Sequence, residues 1–411
     1  MTVKSIQYLY KIDQWIGRCL CFLLTVVYRF IGFFQKPTYG IKTKSILIIQ
    51  LSELGSIILA YPALKKLFHM YEDSKICLLT FDQQQPLINV LPFDNNKIEL
   101  LTISTQTIPG FCYSLINILF YIWKKSFDMV IDFERFSRFS SIISGLTFAP
   151  VRAGFSRYSD EGLYRGNFLT HAVWYNNYLH ASINFVSMVR SLECEAKTQP
   201  IPQIPVENIK DIPSYQFSES KIKMIRKTVV QHLPKASKSD LWVLFNVSSG
   251  HPLPIRSWPL NYYESLAKLI FNKYNAIIIL SGQKDACQNA KFLTEQLGAE
   301  YCWDATDQFD LDELMHLLGN CNILVTPDSG MAHLASMTEI QSIVLFGPET
   351  PIRYSPLGHN HIDLFADFLC SPCFSPHNHC LTSCKDAKCL QAITPEDVFI
   401  EFQNIMSVSS K

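Results

Sequence analysis

Three segments in the second half of the chain place small, polar and cationic residues directly after short apolar runs. They are Ser248-Ser-Gly-His-Pro-Leu-Pro-Ile-Arg-Ser-Trp-Pro259, Thr326-Pro-Asp-Ser-Gly-Met-Ala-His333 and Phe346-Gly-Pro-Glu-Thr-Pro351. Arg256 offers a fixed cation, and a helix opened by Ser329 and Gly330 presents backbone N–H groups to an anion. The segments therefore predict a diphosphate clamp, in which Asp328 accepts hydrogen bonds from sugar hydroxyl groups.

The residues of this predicted donor site share small side chains, cationic charge or hydrogen-bonding capacity: Ser249, Gly250, Arg256, Asp285, Asp328, Ser329, Gly330, Met331, His333, Gly347 and Thr350. Asp285 follows Ser281-Gly282 and is expected to meet the ribose or the base. Taken alone, each residue has a plainer explanation. Asp328 is typical of a helix cap, and His333 of a structural histidine.

Strand and helix patterns alternate in both halves of the chain. The first half shows apolar runs at Ser45–Leu51, Ile76–Phe81 and Met129–Phe133, with helical stretches after the first and third. The second half repeats the alternation from Trp242 to Phe346. This pattern predicts two α/β domains with parallel sheets, and ligands in such sheets bind beyond the carboxyl ends of the strands. No G-x-G-x-x-G or P-loop sequence occurs, which disfavours a dinucleotide dehydrogenase or a P-loop ATPase.

The ordered motifs resemble glycosyltransferase family 9, the lipopolysaccharide heptosyltransferases. Asp-Ser-Gly-Met-Ala-His-Leu-Ala (328–335) resembles the family's D-T-G-x-x-H-L-A element, and Phe346–Pro351 its F-G-x-T-x-P element. Arg256-Ser-Trp-Pro259 resembles its K-x-W-P element, with Arg in place of Lys. The resemblance extends from about residue 44 to 400. It implies a GT-B architecture, with two Rossmann-like domains facing across a cleft, the acceptor on the first and the nucleotide sugar on the second.

The chain departs from the family at the presumed general base. The aspartate of the family's L-G-D turn falls on Ser56, and a serine hydroxyl is no base near neutral pH. We predict that Glu53, three residues earlier, acts as the base. Ser52, Ser56 and Glu134 complete the predicted acceptor side. The alternatives are a solvated carboxylate at Glu53 and a helix cap at Ser56.

The N-terminal segment differs in charge from the rest of the chain. The formal net charge is zero, but residues 1–40 contain Lys4, Lys11, Arg18, Arg29 and Lys36 against the single acid Asp13, a net charge of +4. On a helix these five cations fall within about 40° of one another. Ile12–Phe34 therefore predicts a helix lying in an anionic membrane surface. The alternatives are a helix packed on the protein, or a spanning anchor.

The cysteines predict either a metal site or free thiols. Five of the thirteen lie within residues 370–389, with His377 and His379 among them. Cys370, Cys373, Cys380 and Cys384 have spacings compatible with structural zinc, although packed thiols and disulfides remain open. We expect no catalytic metal, because Asp310-Leu-Asp312 precedes an amphipathic helix and is explained by helix capping.

The resemblance implies an inverting, metal-independent glycosyltransferase, and the N-terminal helix predicts that it lies at the cytoplasmic face of the membrane. ADP-heptose is the expected donor and a lipid-linked oligosaccharide the expected acceptor, whereas the body's charge of −4 excludes nucleic acid as a partner. A catalytically silent binding protein, a transferase using another nucleotide sugar and a zinc-dependent interaction module are the alternatives. The predicted segments are a membrane helix (1–40), the acceptor domain (44–195), a linker (196–238), the nucleotide-sugar domain (239–365) and a Cys-rich loop with a terminal helix (366–411).

Overall fold

The structure is a computed structural model. It describes residues 11–32, 43–51, 53–93, 98–135, 137–156, 164–194, 209, 211–239, 241–248, 254–374 and 382–409. The chain divides into two compact units. The first contains Met1–Asn89, Phe93–Asp211 and Ser375–Cys380, and the second contains Val90–Pro92, Ile212–Phe374 and Leu381–Lys411. Each unit carries its own parallel sheet of six strands.

The sheet of the first unit has the strand order β3-β2-β1-β4-β5-β6. Its strands are β1 (Ser45–Ile49), β2 (Lys75–Phe81), β3 (Ile98–Ile103), β4 (Met129–Asp132), β5 (Val151–Phe155) and β6 (His171–Val173). The central strands β1 and β4 are buried over almost their whole length, as expected for a parallel sheet covered on both faces. The order reverses between β1 and β4, so the loops after these two strands meet at a topological switch point.

The helices described with this sheet are α1 (Arg18–Gly32), α2 (Leu54–Met70), α3 (Gln85–Val90), α4 (Ile108–Lys125), α5 (Arg138–Leu146) and α6 (Ala181–Ser191). A π-helical turn, Asp13–Gly17, leads into α1. Helices α4 and α5 contribute Ile118, Ile122 and Ile143 to one core cluster with β1, β2 and β4. Helices α2 and α6 pack against each other.

The predicted apolar N-terminal helix is confirmed. The stretch Asp13–Gly32 is, among the described residues, the one helix whose length and composition would let it cross a membrane. One face of α1 packs on the first unit, because Leu24 and Tyr28 are buried against Phe168. Lys4 and Lys36, two of the five cations of the predicted stripe, lie outside the described residues.

The sheet of the second unit has the order β12-β11-β10-β7-β8-β9. Its strands are β7 (Leu241–Asn246), β8 (Ala276–Ser281), β9 (Cys302–Asp304), β10 (Ile323–Pro327), β11 (Gln341–Phe346) and β12 (His361–Phe365). Here the order reverses between β7 and β10, which brings the carboxyl ends of β7, β10 and β11 side by side. These strands carry the three predicted donor-binding segments at their carboxyl ends.

The helices of the second unit are α7 (Glu219–His232), α8 (Leu260–Lys273), α9 (Cys287–Leu297), α10 (Leu311–Leu318), α11 (Gly330–Ala335), α12 (Pro351–Tyr354), α13 (Lys388–Gln391) and α14 (Pro395–Ser409). The terminal helix α14 packs against α8 and places Val398 and Phe402 in the main core of the unit. The chain's C-terminal segment therefore completes the hydrophobic core of the predicted nucleotide-sugar domain.

Helix α7 corrects the predicted linker at 196–238. The prolines that suggested a linker are confined to residues 200–213, whereas Ile225 and Val229 of α7 are buried at helical spacing. The helix packs on α10. Its packing makes residues 219–232 part of the second unit, and Pro200, Pro202 and Pro205 lie outside the described residues.

Candidate functional site

The second unit brings Arg256 and Asp328 together at the carboxyl edge of its sheet. Arg256 ends a short 3-10 turn after β7, and Asp328 directly follows β10. Their Nη1 and Oδ2 atoms are 3.3 Å apart. Burial raises the pKa of Asp328, and the neighbouring guanidinium of Arg256 opposes that rise. The guanidinium of Arg256 therefore lies at the position predicted for the cation of the diphosphate clamp.

A buried polar network fixes the loop that carries Asp328. The side-chain amide of Asn246 donates to the hydroxyl groups of Thr326 at 2.9 Å and Ser329 at 3.0 Å. The two hydroxyl groups are themselves 3.1 Å apart. Asn246 ends β7 and Thr326 belongs to β10, so the network ties the two switch-point strands together. Ser329 is therefore a buried member of this network, and its hydroxyl already has protein partners.

A second carboxylate, Glu349, is buried beside the same edge. Its Oε2 lies 3.0 Å from Nη2 of Arg353 in the following helix, α12. Burial raises the pKa of Glu349 to about 8, while Arg353 opposes the rise and the nearby Asp328 adds to it. The hydroxyl of Thr350 accepts a bond from the amide of Ile352 and caps α12. Glu349 was not among the predicted site residues, although its place in the Phe346–Pro351 segment was a signal for it.

Asp285 and Ser248 meet at the neighbouring pair of strand ends. The hydroxyl of Ser248, just after β7, donates to Oδ2 of Asp285 at 2.7 Å. Gly282, between β8 and Asp285, has a φ of 155° and leaves no room for a side chain, because an added Cβ would lie 2.5 Å from that of Ala286. The structure therefore places Asp285 on the site's edge, held by Ser248.

The remaining predicted donor residues fall into three groups. Gly330, Met331 and His333 belong to α11, where Met331 and His333 are buried. Gly347 has a packing role, because an added Cβ would lie 2.6 Å from Cγ of Leu390. Ser249 and Gly250 lie outside the described residues. Trp258, in the resembling Arg-Ser-Trp-Pro element, is also structural: its indole N–H donates to the carbonyl of Ile393 at 2.9 Å.

In the first unit, Glu53 lies at the carboxyl edge of β1 as the N-cap residue of α2. Its φ of 66° and ψ of 104° fall in a region that residues with a side chain rarely occupy. Such strained backbone conformations concentrate at functional sites. The hydroxyl of Ser56 donates to Oε2 of Glu53 at 3.3 Å. The alternative of Ser56 as the helix cap is wrong, because α2 begins at Leu54.

Glu134 has a tethering role at this edge. Its Oε1 accepts hydrogen bonds from the amide of Leu51 at 2.7 Å and from the side chain of Gln50 at 3.3 Å. Because Glu134 follows β4 and Leu51 follows β1, the carboxylate fixes the start of the loop that leads to Glu53. Glu134 is buried, whereas Glu53 is exposed. Ser52, the remaining predicted acceptor residue, lies outside the described residues.

Among the described residues, the C-terminal cysteines Cys370, Cys373, Cys384 and Cys389 form no disulfide. Cys370 and Cys384 are exposed and Cys373 is half-buried. Burial raises the pKa of the Cys373 thiol, and Cys384 and Cys370 are close enough to add to that rise. In the described part of the chain no group of three His, Cys, Asp or Glu residues is arranged to hold a metal. Cys380, His377 and His379 lie outside the described residues, so the zinc site stays a prediction.

The capping role predicted for Asp310 is confirmed. Its Oδ1 accepts from the amide of Glu313 at 2.8 Å, and Oε2 of Glu313 accepts from the amide of Asp310 at 3.0 Å. This reciprocal capping box begins α10. Asp312 instead pairs with Lys221 of α7 at 2.6 Å. Both carboxylates therefore have structural roles within the second unit.

Two Rossmann-like units with polar loops at the carboxyl edges of their sheets correspond to the GT-B architecture of glycosyltransferases. The sequence model of glycosyltransferase family 9 (heptosyltransferase) matches residues 121–382. This match spans more than half of the chain, and the chain belongs to that family.

Similar proteins agree with this assignment. The chain is 23% identical over 323 residues to lipooligosaccharide heptosyltransferase 2 of Haemophilus ducreyi, covering 76% of this chain and 86% of that protein. It is 31% identical over 106 residues to the Haemophilus influenzae protein of the same name, where the match spans 25% of this chain and only 30% of the relative. The structure of Escherichia coli ADP-heptose lipopolysaccharide heptosyltransferase II has the same fold, with a TM-score of 0.64, 18% identity and coverage of 89% of this chain and all of that one (100%).

Proposed function

We propose that the protein transfers heptose from ADP-heptose, with inversion, to a lipid-linked oligosaccharide acceptor in lipopolysaccharide core biosynthesis. The transfer takes place at the inner face of the cytoplasmic membrane. Family membership supports glycosyl transfer, and the names of the similar proteins support the sugar, the nucleotide and the pathway. The observation that carries the proposal is the pair of Arg256 and Asp328 at the switch-point edge of the second unit.

In the proposed reaction, the acceptor hydroxyl loses its proton and its oxygen attacks the anomeric carbon of the donor sugar. The bond from that carbon to the diphosphate breaks on the opposite face, and the electron pair leaves with the nucleoside diphosphate. Negative charge therefore develops on the diphosphate, where the guanidinium of Arg256 stabilises it. The backbone amides of Ser329, Gly330 and Met331 and the hydroxyl of Thr350 complete the proposed phosphate contacts, and Asp328 binds a sugar hydroxyl.

Glu53 is the proposed general base. It is an exposed carboxylate, it lies at the carboxyl edge of β1, and its backbone is strained. Glu134 is less suited to the role, because its carboxylate is buried and already accepts two hydrogen bonds from the loop after β1. The proposal therefore assigns proton removal to Glu53 and loop positioning to Glu134.

We propose that no metal takes part in the transfer, because Arg256 supplies the cationic charge that the leaving diphosphate needs. A structural zinc ion at Cys370, Cys373, Cys380 and Cys384 is a separate proposal, supported by the proximity of Cys370, Cys373 and Cys384. Elemental analysis of the purified full chain tests it. One zinc ion per chain supports the site, and a metal-free, fully folded protein contradicts it.

A catalytically silent binding protein is the second candidate, because Ser56 replaces the family's aspartate. Incubating the full chain with a panel of nucleotide sugars and a detergent-dispersed membrane glycolipid separates the two functions. Release of ADP from ADP-heptose, dependent on the glycolipid, supports the transferase. Saturable binding of ADP-heptose without ADP release supports the binding protein. Release of a nucleoside diphosphate from a different nucleotide sugar only would show that the donor sugar is not heptose.

A further inference from the structure

Helix α4 exposes an apolar face where a helix on a soluble surface would be polar. From Tyr113 its exposed large apolar residues recur every three or four positions, at Ile116, Phe120 and Trp123, and Ile108 is exposed at its start. Tyr113 is 71% and Phe120 64% exposed. The opposite face of α4 is also apolar, since Ile118 and Ile122 enter the core. A helix that is hydrophobic on all sides is normally buried on all sides. The exposed apolar face of α4 therefore indicates a surface that contacts another molecule or a membrane.

Helix α1, with the turn that precedes it, exposes a second apolar face in the same unit. Trp15 is 70% and Phe30 66% exposed, and the large apolar residues exposed between them are Ile16, Leu20, Phe22, Leu23 and Val27. The buried side of the helix consists of Gly17, Cys21, Leu24, Thr25 and Tyr28. Helix α1 is therefore attached to the protein by one side and presents an apolar surface on the other.

Helix α5 joins these two faces. At its start, the ring of Phe139 lies 5.6 Å from that of Phe111 of α4, and at its end the carbonyl of Leu146 accepts a bond from the indole of Trp123 at 2.8 Å. On its other side, Tyr28 of α1 donates to the carbonyl of Gly145 at 2.7 Å. Helix α5 thus has α4 on one side and α1 on the other. Phe148, half-exposed and stacked on Tyr28, continues the apolar surface at the end of α5.

The charges around this surface are positive. Lys11, Arg18 and Arg29 are exposed on the N-terminal helix, and Lys124 is exposed at the end of α4. Within the described residues, none of these four cations forms an ion pair with a carboxylate. The one acidic residue of the two helices, Asp13, is turned toward the protein, where its Oδ2 lies 3.1 Å from Nη1 of Arg138.

We propose that the exposed faces of α1 and α4, with Phe148, form one surface that docks on an anionic bilayer. Below it is called the two-helix face. Aromatic and aliphatic side chains enter the boundary between headgroups and acyl chains, and the cations reach the lipid phosphates. A second copy of this chain fits less well, because a two-fold contact would bring the same unpaired cations of both copies together.

The position of the two-helix face also affects where a lipid-linked acceptor would reach the protein. Helix α4 begins directly after β3, with Thr107 as its cap, so one end of the face lies at the carboxyl edge of the first sheet. This edge also carries Glu53. A bilayer docked on the face therefore presents a lipid-linked acceptor next to the proposed base. This consequence rests on the proposed function, whereas the docking itself does not.

Vesicle flotation of the full chain tests the docking. The vesicles contain phosphatidylethanolamine with about one third phosphatidylglycerol, and phosphatidylcholine vesicles serve as the neutral reference. The α4 variant combines Ile116→Ser with Phe120→Ser, and the α1 variant combines Phe22→Ser with Leu23→Ser. The matched control combines Met224→Ser with Phe292→Ser, two half-exposed apolar residues on helices of the second unit. We expect each face variant to lower the partition coefficient about tenfold or more, and the control to leave it unchanged.

The proposal is overturned if the wild-type protein does not bind anionic vesicles. It is also overturned if the α4 variant has the same partition coefficient as the control variant. If the wild-type protein does not bind vesicles but forms a concentration-dependent dimer that the α4 variant abolishes, the partner of this face is a second copy of the chain and not a bilayer. Quenching of wild-type tryptophan fluorescence by brominated lipid needs no variant and is expected, since Trp15 and Trp123 lie on the face. ADP release from a detergent-dispersed acceptor is measured on the same samples. Turnover without vesicle binding rejects the docking alone, and vesicle binding without turnover rejects the proposed function alone.

Discussion

The hydroxyl of Ser56 donates a hydrogen bond to the carboxylate of Glu53, with 3.3 Å between Oγ and Oε2. The position where similar family members are expected to carry the catalytic aspartate is thus occupied by a donor to another carboxylate. Glu53 reaches that neighbourhood from the preceding turn by adopting a φ of 66°. The pair therefore places a carboxylate within 3.3 Å of the hydroxyl that stands at this position.

The first prediction concerns this carboxylate. Glu53→Gln is expected to lower kcat by about 10²–10⁴-fold, because the amide cannot accept the acceptor's proton. Ser56→Ala removes one long, exposed hydrogen bond to the carboxylate and is expected to cost no more than about tenfold. Steady-state ADP release measures both. Glu72→Gln, on an exposed carboxylate just after α2, is the matched control and is expected to behave like wild type. The assignment fails if Ser56→Ala is the more damaging change.

The second prediction concerns Arg256. Arg256→Ala is expected to lower kcat by about 10²–10³-fold, because it removes the charge that meets the leaving diphosphate. Arg256→Lys is expected to recover part of this loss, since it restores the charge without the planar guanidinium. Arg226→Ala, on the face of Trp242 in the same unit, is the control for a general loss of arginine. Equal effects of the changes at 256 and 226 on kcat would remove Arg256 from the mechanism.

The third prediction follows from the pKa of Glu349, which burial raises from its ordinary value of 4.5 to about 8. The folded protein holds this proton more tightly than the unfolded chain, so the stability it contributes is lost as the pH rises from about 4.5 to about 8. Chemical unfolding at a series of pH values should show a fall of at most about 1.4 kcal/mol per pH unit in this window from this group. Glu349→Gln should flatten that fall.

The same titration affects donor binding. Above about pH 8 the ionised Glu349 places a negative charge near Asp328 and Arg256, which opposes a diphosphate. The dissociation constant of the nucleoside diphosphate should therefore rise in wild type between pH 7 and 9 more than in Glu349→Gln, as calorimetric titration would show. Parallel curves for the two proteins would place Glu349 outside the influence of the donor site.

The fourth prediction distinguishes packing from binding at Gly347. Gly347→Ala would bring its Cβ to 2.6 Å from Leu390, so the free energy of unfolding should fall by about 1–3 kcal/mol. Gly32→Ala, where an added Cβ meets nothing within 4 Å, is the control and should not lower stability. A stable Gly347→Ala protein with impaired donor binding would instead support the direct contact predicted from the sequence.

The sequence predicted the strands with the clearest apolar runs and the motifs at their ends. It did not predict α4, because Ile108–Lys125 is apolar on every side and shows no contrast between a buried and an exposed face. Helix α7 was missed for the opposite reason: its neighbours are prolines, which drew the interpretation toward a linker. The first error arises because periodicity detects only helices with one buried and one polar face, and the second because the prolines outweighed a periodicity that was present.

At the candidate site, residue types were predictable and their partners were not. Arg256 and Asp328 are 72 positions apart, and only the parallel neighbours β7 and β10 bring them within 3.3 Å. Glu134 was placed on the acceptor side, but its bond to the amide of Leu51 depends on the pairing of β1 with β4. The raised pKa of Glu349 is likewise a property of its burial, which the motif around it does not reveal.

The fifth prediction concerns the attachment of the N-terminal helix. In the structure, Oδ1 of Asp13 accepts bonds from the amides of Arg138 and Phe139 at 2.9 and 3.1 Å, and Oδ2 pairs with the buried Arg138 guanidinium. Asp13 therefore both caps α5 and neutralises a buried charge.

Asp13→Ala is accordingly expected to lower the free energy of unfolding by about 3–5 kcal/mol, since it leaves the guanidinium of Arg138 without its carboxylate. Asp13→Asn should cost less, because the amide oxygen still caps α5. Asp73→Ala, at an exposed aspartate of the same unit, is the control and should stay within about 0.5 kcal/mol of wild type. Urea unfolding in detergent-free buffer measures all three. If Asp13→Ala matched Asp73→Ala, Asp13 would contribute nothing to stability, and the helix would be held on the unit by Leu24 and Tyr28 instead.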